Sequence, residues 1–166
     1  MVPFSNSTHR IWTSAGSKLY EVAKARIQLL FLSGQYPCVR FARHWCSDNS
    51  GGLCTNQDCL ENGCIESIEH ILLTCPAYIS TGSSMIDLIS SVKNLVSMSL
   101  AKAFIQSNSK STILQFLLDC TSIPEVVSAV QQLGEAIYSD LFYLTRTWCY
   151  CIHKERMKRL GKWNYR

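Results

Sequence analysis

Residues 122–160, SIPEVVSAVQQLGEAIYSDLFYLTRTWCYCIHKERMKRL, decide the fold class of this chain. Ser122 can cap a helix, Pro124 suits the first helical turn, and Glu125 complements the helix dipole. After this start, one set of positions recurs every seven residues and a second set lies between them: Val130, Ile137, Leu144 and Cys151, then Gly134, Leu141 and Trp148. The stretch therefore predicts a helix that runs to about residue 160 and packs against other helices.

Shorter helices are predicted upstream. Residues 17–36, SKLYEVAKARIQLLFLSGQY, carry apolar residues at helical spacing before a natural stop at Gly34. These apolar residues are Leu19, Val22, Ala23, Ile27, Leu30 and Phe31. Further helices are expected at about 85–97, 99–107 and 111–119. The sequence shows neither strand-like alternation nor internal repeats, so the predicted fold is mostly α.

The composition of the 166 residues indicates a globular chain. Hydrophobic residues make up 47% and charged residues 17%, which argues against disorder throughout. No apolar run approaches the roughly 18 residues of a membrane span, and the first residues, MVPFSNSTHR, do not resemble a secretory signal. Nine cysteines cannot all pair, so we expect a reducing, intracellular location in the nucleus or cytoplasm.

Charge divides the chain into three regions, although the net charge is only +4. Residues 1–46 hold six Lys/Arg against one Glu and are predicted to form an N-terminal helix followed by a basic, aromatic segment. Residues 47–78 hold five acids and no Lys/Arg, and they contain a cysteine cluster. Residues 79–166 are predicted to be helical and to end in a basic tail. We expect the three regions to form one compact unit.

The cysteine cluster lies in CTNQDCLENGCIESIEHILLTCPAY, residues 54–78. Three thiolates and one imidazole match the ligands that a tetrahedral Zn²⁺ prefers. They belong to Cys54, Cys59, His70 and Cys75. Cys64 leaves a second set open, because it can replace Cys54 beside the other three. The sequence thus predicts an irregular helical domain with a small Cys-Cys-His-Cys zinc-knuckle loop, one structural Zn²⁺ and a long C-terminal helix.

The spacing within the cluster constrains its local structure. The first two cysteines are expected in a polar loop that wraps a small ion. His70 is expected on a short helix over IESIEHILLT, residues 65–74, which Pro76 prevents from continuing. Five residues on an unbroken helix correspond to about 140° of rotation, so the helix must end near Thr74 for Cys75 to reach the same ion.

Free cysteines often serve as small buried hydrophobes, which is the alternative interpretation of each thiol. We expect that role for Cys120, Cys149 and Cys151, because they lie on apolar stretches. For the cluster we expect the opposite, because the surrounding loop is too polar to bury its cysteines. The segment RHWC, residues 43–46, could supply a replacement ligand, but a packed aromatic turn is the expected structure there.

Catalytic signatures are missing from the sequence. A cysteine nucleophile needs a nearby base and an orienting group, and residues that ligate a metal are not available for those roles. A closed four-ligand site also has no open position for a substrate. The sequence contains neither a Gly-rich phosphate loop nor the close pair of aspartates that a two-metal polymerase centre requires. The chain is predicted not to be an enzyme.

Four blocks in the sequence carry a resemblance to a known family. They read LLFLSGQYPCVRFARHWCSDNSGGLCTNQDC, EHILLTCPAY, QFLLDCTSIPEVV and FYLTRTWCYCIHKERMKRLGKW, in this order. Together they resemble the C-terminal tail of the reverse transcriptase-like polyprotein of animal non-LTR (LINE-type) retrotransposons. The resemblance covers about residues 18–163, and LTRTWCYCIHKER is its most specific block.

The resemblance implies a zinc knuckle followed by a helical tail, in a fragment that lacks the polymerase and endonuclease centres of the parent. It implies Cys54, Cys59, His70 and Cys75 as the knuckle ligands, whereas Cys64 departs from the family pattern. The implied role is engagement of RNA or DNA during target-primed reverse transcription. The upstream polymerase region would then be a partner of this tail.

Two functions are therefore expected for this chain. The first is nucleic-acid binding, in which basic side chains neutralise phosphates and tryptophans stack on bases. Its candidate residues are Arg40, Arg43, Trp45, Lys154, Arg156, Lys158, Arg159, Lys162 and Trp163. The second is a structural or interaction module that packs on the upstream polymerase, with zinc only stapling a loop. The acidic surroundings of the cluster make the knuckle itself a poor phosphate contact.

Overall fold

A computed structural model of the protein describes residues 9–37, 52–79 and 85–161. Nine α-helices occur in these ranges: α1 Arg10–Thr13, α2 Leu19–Leu32, α3 Gln57–Glu61, α4 Pro76–Ile79, α5 Met85–Ser90, α6 Leu95–Ser107, α7 Lys110–Leu118, α8 Pro124–Leu133 and α9 Ala136–Arg159. A π-helical turn, His70–Thr74, precedes α4, and a 3₁₀ turn, Cys120–Ser122, precedes α8. The described residues form no strand beyond an isolated antiparallel bridge between Leu53 and Ile65. The predicted mostly-α fold with a long C-terminal helix is confirmed.

Helix α9 is the centre of the packing. It contacts α2, α7 and α8 most extensively, and it also contacts α4, α5, α6 and both short turns. Its buried face includes Ile137, Leu141, Leu144, Trp148 and Ile152, which agrees with the stripe predicted from the sequence. Burial of this face against several helices explains how a 24-residue helix is held in place without depending on local propensity alone.

The prediction of one continuous helix over 122–160 is wrong, because the helix is broken at Gly134. This glycine adopts φ 101° and ψ 167°, a conformation that other residues reach only with strain. Ser122 belongs to the 3₁₀ turn and does not cap α8, whose N-cap is Ile123. Pro124 does begin α8, as expected. The seven-residue repeat runs through the break, since both helices pack with the same core.

The boundaries predicted in the middle of the chain also change. The predicted helices 85–97 and 99–107 are separated after Ser90 instead of at residue 98. Asn94 sets the new boundary, because its side-chain oxygen accepts hydrogen bonds from the backbone N–H groups of Val96 and Ser97. That is an N-cap, and it begins α6 four residues earlier than the sequence pattern predicted.

Helix α2 forms as predicted but presents a different face to the core. Its buried residues include Lys24, Gln28 and Phe31, whereas Leu19 is 87% exposed. Gln28 donates hydrogen bonds to the carbonyl oxygen of Leu117 at 2.7 Å and to Oγ1 of Thr145 at 3.0 Å. These bonds satisfy the buried side-chain nitrogen of Gln28, whereas its oxygen Oε1 has no hydrogen-bond partner within the described residues. They also fix the rotation of α2 against α7 and α9. In the apolar stripe predicted from the sequence, Phe31 is buried and three residues are partly buried against the core, whereas Leu19 and Ala23 are exposed. The three partly buried residues are Val22, Ile27 and Leu30.

The lysine on the inner face of α2 belongs to a buried charge cluster. Lys24 Nζ lies 2.8 Å from a carboxylate oxygen of Glu21, and Arg146 Nε on α9 lies 2.9 Å from the other. Burial works against the ionised carboxylate, but hydrogen bonds from both cations hold the pKa of Glu21 below its ordinary value. The ion pairs of this charge cluster hold α2 against α9, where the sequence predicted an apolar contact.

All seven cysteines in the described ranges are free thiols. Cys120 and Cys149 are fully buried and Cys151 is partly buried, which agrees with their expected packing role. Among the described helices, none combines the length and apolar character needed to cross a membrane.

Replacing Leu144 by alanine is expected to lower the free energy of unfolding by about 2–5 kcal/mol, because the side chain is 1% exposed in the centre of α9. Tyr143, its neighbour, is 44% exposed, and the Lys24 ammonium lies 4.9 Å from the centre of its ring. Tyr143→Ala is the control and should cost less than Leu144→Ala, since it removes a half-exposed ring and one cation–π contact of about 0.5–1 kcal/mol. Denaturant unfolding of both variants measures the difference. Equal losses would show that the two faces of α9 are wrongly assigned.

Candidate metal centre

The loop that carries the first two cysteines is closed by backbone hydrogen bonds. The N–H of Cys54 donates to the carbonyl of Cys64 at 2.8 Å, and the N–H of Glu66 donates to the carbonyl of Gly52 at 2.9 Å. Between these two arms lies α3, which carries Cys59. Gly63, at φ 63°, lets the chain turn back after α3, since a left-handed residue often ends a helix. The second cysteine therefore lies on a short helix and not in an open loop as predicted.

His70 and Cys75 are brought together by a π-helical turn. The N–H of Cys75 donates to the carbonyl of His70 at 2.8 Å, which closes a turn of five residues. Such a turn places residues five apart nearly in line, whereas an α-helix would rotate them away from each other. The turn ends at Thr74, and Cys75 is extended with ψ 115°, so the predicted helix end is confirmed.

The side chains of four predicted ligands converge on one point. One ligand atom from each lies within 4.8 Å of the others, and we call these residues the Cys₃His cluster: Cys54, Cys59, His70 and Cys75. The Sγ atom of Cys75 is 3.7 Å from that of Cys54 and 3.9 Å from that of Cys59. Two sulfurs bound at about 2.3 Å to a tetrahedral ion are separated by about 3.8 Å. The cluster can therefore hold a metal ion and is compatible with zinc.

The surroundings of the His70 imidazole suit a metal ligand. Its Nδ1 lies 3.0 Å from Oγ1 of Thr74, one turn further along the chain. Its Nε2 is buried and has no hydrogen-bond partner within the described part of the chain. A polar atom left unpaired in this way costs free energy unless something binds it, and a metal ion would satisfy it. Thr74 then acts as the outer partner that fixes the ring orientation.

Amide donors point at the sulfurs of the cluster. The backbone N–H of Asn56 donates to the sulfur of Cys54, and that of Ala77 donates to the sulfur of Cys75. The side-chain nitrogen of Asn56 lies 3.5 Å from Sγ of Cys59. Such donors stabilise negative charge on a sulfur, so the surroundings suit thiolates better than thiols.

Burial has the opposite effect on these thiols. It raises the pKa of Cys54 and of Cys75 above the ordinary thiol value, and it lowers the pKa of His70. The imidazole is therefore neutral at pH 7, the form that binds metals. A cation at the centre of the cluster would offset the burial cost of the thiolates, and its binding would release protons.

One prediction about these cysteines needs correction, and one alternative is not supported by the geometry. The polar loop was expected to leave them exposed, yet Cys54, Cys59 and Cys75 are 0%, 3% and 0% exposed. The π turn and the end of α9 cover the loop and bury these cysteines, which the polar residues of the loop could not do alone. The alternative ligand Cys64 lies outside the Cys₃His cluster and is only partly buried. Its backbone instead closes the loop through Cys54.

A buried ion pair behind the cluster was not predicted. Arg156 Nη2 on α9 donates to a carboxylate oxygen of Glu66, and the two side chains are 3% and 0% exposed. Burial opposes the charge of Arg156, but Glu66 raises the pKa of the guanidinium above its ordinary value. Trp148 adds a second link, because its indole N–H donates to the carbonyl of Leu72 at 3.2 Å. In the sequence, this contact was indicated only by the opposite net charges of the acidic residues 47–78 and the basic C-terminal tail.

The predicted nucleic-acid contacts divide into three groups. Arg156 is removed from the set, because it faces inward and pairs with Glu66. The side chains of Lys154, Lys158 and Arg159 are exposed along the end of α9, with Arg159 Nε 2.9 Å from Glu155. The remaining candidates lie outside the described residues: Arg40, Arg43, Trp45, Lys162 and Trp163.

Comparisons of the chain with protein-family models, with curated protein sequences and with solved structures find no match. The resemblance to the retrotransposon tail therefore stays a prediction. The functional argument depends on the geometry of the Cys₃His cluster and on the side chains around it.

Proposed function

We propose that the chain is a non-catalytic zinc-binding module, in which one structural Zn²⁺ holds residues 52–79 against the C-terminal helix. The convergence of the Cys₃His cluster, with ligand atoms within 4.8 Å of one another, carries this proposal. Sulfur and imidazole ligands favour Zn²⁺ over Mg²⁺ and Ca²⁺, which bind oxygen. Four protein ligands complete a tetrahedral shell, so the ion has no open position for a substrate or an activated water.

Substitution of Co²⁺ for Zn²⁺ tests both parts of this proposal. We expect the cobalt protein to show the visible absorption of a tetrahedral site with thiolate ligands, because the ligand set and geometry are conserved on exchange. Azide should leave that spectrum unchanged, since a closed shell cannot accept an exogenous ligand. A spectrum that changes with azide would indicate an open, catalytic type of site and would contradict the structural role.

The outward face of α2 supports a role as an interaction module. A groove of about 500 Å³ lies between this face and α9, and its lining includes Leu19, Arg26 and Tyr150. Leu19 is 87% exposed there, so an apolar side chain beside a cation is open to a partner. In a parent polypeptide of the kind that the resemblance implies, this face would pack on the upstream polymerase region.

Nucleic-acid binding is the second candidate function, and the exposed end of α9 favours it. Lys154 and Lys158 lie four residues apart and therefore on one side of the helix, and Arg159 follows. The acids Asp58, Glu61 and Glu69 are exposed around the metal centre, so phosphate contacts are expected on α9 and not on the knuckle.

The salt dependence of binding tests this candidate. If Lys154 and Lys158 contact phosphates, replacing both by glutamine should flatten the slope of log K against log salt by about 1.4 for a single strand and 1.8 for a duplex. Arg156 is left intact, because it belongs to the buried pair. Salt titrations of an RNA strand and a DNA duplex measure the slopes.

The matched control replaces Lys93 and Lys102, two exposed lysines elsewhere on the surface, by glutamine. It should keep the wild-type slope. If the Lys154/Lys158 variant also keeps that slope, the end of α9 is an ordinary solvated helix terminus, and the interaction role remains.

A further inference from the structure

A cavity of about 350 Å³ lies between the metal-ligand loop and the end of α9. Thr55, Asn56 and Gln57 line it from the loop, and Arg159 and Leu160 line it from the helix. This volume is at the lower end of the range for sites that bind small organic groups. The cavity thus lies where the loop of the proposed zinc site meets the end of α9, which carries the basic side chains.

The lining of the cavity combines hydrogen-bonding and apolar groups. The side-chain nitrogen of Asn56 lies 3.5 Å from Sγ of Cys59, and that of Gln57 donates to Glu61 at 2.8 Å. Each amide still offers its acceptor oxygen and a second N–H, and the hydroxyl of Thr55 can donate and accept. Leu160 is partly buried, and Ala77, 6% exposed, completes an apolar wall. A flat, neutral ring with polar edges matches such a lining, since it can use the wall for its face and the amides for its edge.

Charges around the cavity argue against a free anion as its ligand. Asp58 and Glu61 are exposed on α3, next to the loop, and three thiolates around one Zn²⁺ would add negative charge. The cation of the cavity is Arg159, whose side chain is 42% exposed and partly neutralised by Glu155. Phosphate contact is therefore favoured only on the α9 side, where Lys158 is also exposed.

We propose that this cavity holds one unpaired nucleobase of a single-stranded nucleic acid, with Arg159 bound to the adjoining phosphate. The inference rests on the nucleic-acid candidate function stated above. It adds a defined site to that function, since a base in the cavity would be read by side chains of the zinc loop while α9 holds the backbone.

The test compares a mixed-sequence DNA strand with an abasic strand of the same length, which has the same phosphates but no bases. Binding of both to the full, zinc-loaded chain is followed by fluorescence anisotropy. We expect wild type to prefer the strand with bases by about tenfold or more. Gln57→Ala should reduce that ratio about threefold or more, whereas Gln131→Ala, an exposed glutamine on α8, should not.

A second variant tests the phosphate contact separately. Arg159→Gln should flatten the salt slope for the abasic strand by about 0.7, and Lys102→Gln should leave it unchanged. Zinc content is measured for every variant, so that loss of the metal centre is not mistaken for loss of the cavity.

The outcomes distinguish nucleic-acid binding in general from binding of a base in the cavity. If neither strand binds to wild type at low salt, nucleic-acid binding itself fails and the cavity site fails with it. If both strands bind but Gln57→Ala keeps the wild-type ratio, bases are bound elsewhere and only the cavity site is overturned. Equal binding of the two strands by wild type would overturn it as well, because no base would then be recognised.

Discussion

Cys75→Ser is expected to abolish stoichiometric zinc binding and the stabilisation that zinc gives to the fold. Cys75 is fully buried, and its sulfur touches those of Cys54 and Cys59 at 3.7 and 3.9 Å. A serine hydroxyl is a poor ligand where a thiolate is required. At a free zinc concentration about a thousandfold above Kd, wild type should gain about 4 kcal/mol of unfolding free energy from the metal.

Chemical unfolding with zinc and with a chelator measures this gain. Wild type should lose stability on chelation, whereas Cys75→Ser should unfold identically in both conditions. Cys120→Ser is the matched control, because Cys120 is equally buried but lies outside the Cys₃His cluster, and burial raises its pKa to about 12. This control should keep the full response to zinc. A zinc response that persists in Cys75→Ser would show that the metal is bound elsewhere.

Arg156→Met is expected to cost about 3–5 kcal/mol, because it leaves the fully buried carboxylate of Glu66 without its cation. The pair joins the metal-ligand loop to α9 across 90 residues of sequence. Arg159→Met, three residues further on, is the matched control: Arg159 forms an exposed pair with Glu155 within one helix, so its loss should cost less than about 1 kcal/mol.

A double-mutant cycle with Glu66→Leu isolates the pair. Replacing both charges by apolar residues removes the uncompensated charge as well as the interaction, so the double variant should be more stable than Arg156→Met alone. Denaturant unfolding of the four proteins measures the coupling. Additive losses, or a small loss in Arg156→Met, would mean that Arg156 is solvated, and it would then return to the set of candidate phosphate contacts.

The local pattern of apolar residues in the sequence was sufficient to predict much of the fold. The helical spacing predicted α2, α7 and the end of α9 to within a few residues, because the length and composition of those segments favour a helix before any packing. Ligand chemistry and the stop at Pro76 predicted three members of the Cys₃His cluster, and the family resemblance selected Cys54 over Cys64 as the fourth. These features depend on neighbours in sequence, which is the information that a single sequence contains.

The features that the sequence did not predict arise from contacts between distant segments. The apolar spacing in residues 17–36 specifies a helix but not its rotation, which is fixed by Gln28 and Lys24 through partners on α7 and α9. The π turn is closed by a hydrogen bond from the N–H of Cys75 to the carbonyl of His70. Neither interaction leaves a periodic signal in the sequence.

Arg156 illustrates the same limit for function. In the sequence, Arg156 belongs to a basic run in which every Lys or Arg is an equally good candidate for a phosphate contact. The fold separates them, since Arg156 points to the core while Lys154 and Lys158 point to solvent. Helical rotation of about 100° per residue makes such a division unavoidable for a continuous run. Which residues turn inward is decided by the partner, here Glu66.

The zinc content of the purified chain and of two cysteine variants tests the central claim most directly. Native mass spectrometry should find one Zn²⁺ in wild type and in Cys64→Ser, and none bound stoichiometrically in Cys54→Ser, because Cys54 belongs to the Cys₃His cluster and Cys64 does not. Full zinc in Cys54→Ser together with its loss in Cys64→Ser, or a wild-type chain that binds no zinc, would contradict the proposed metal centre.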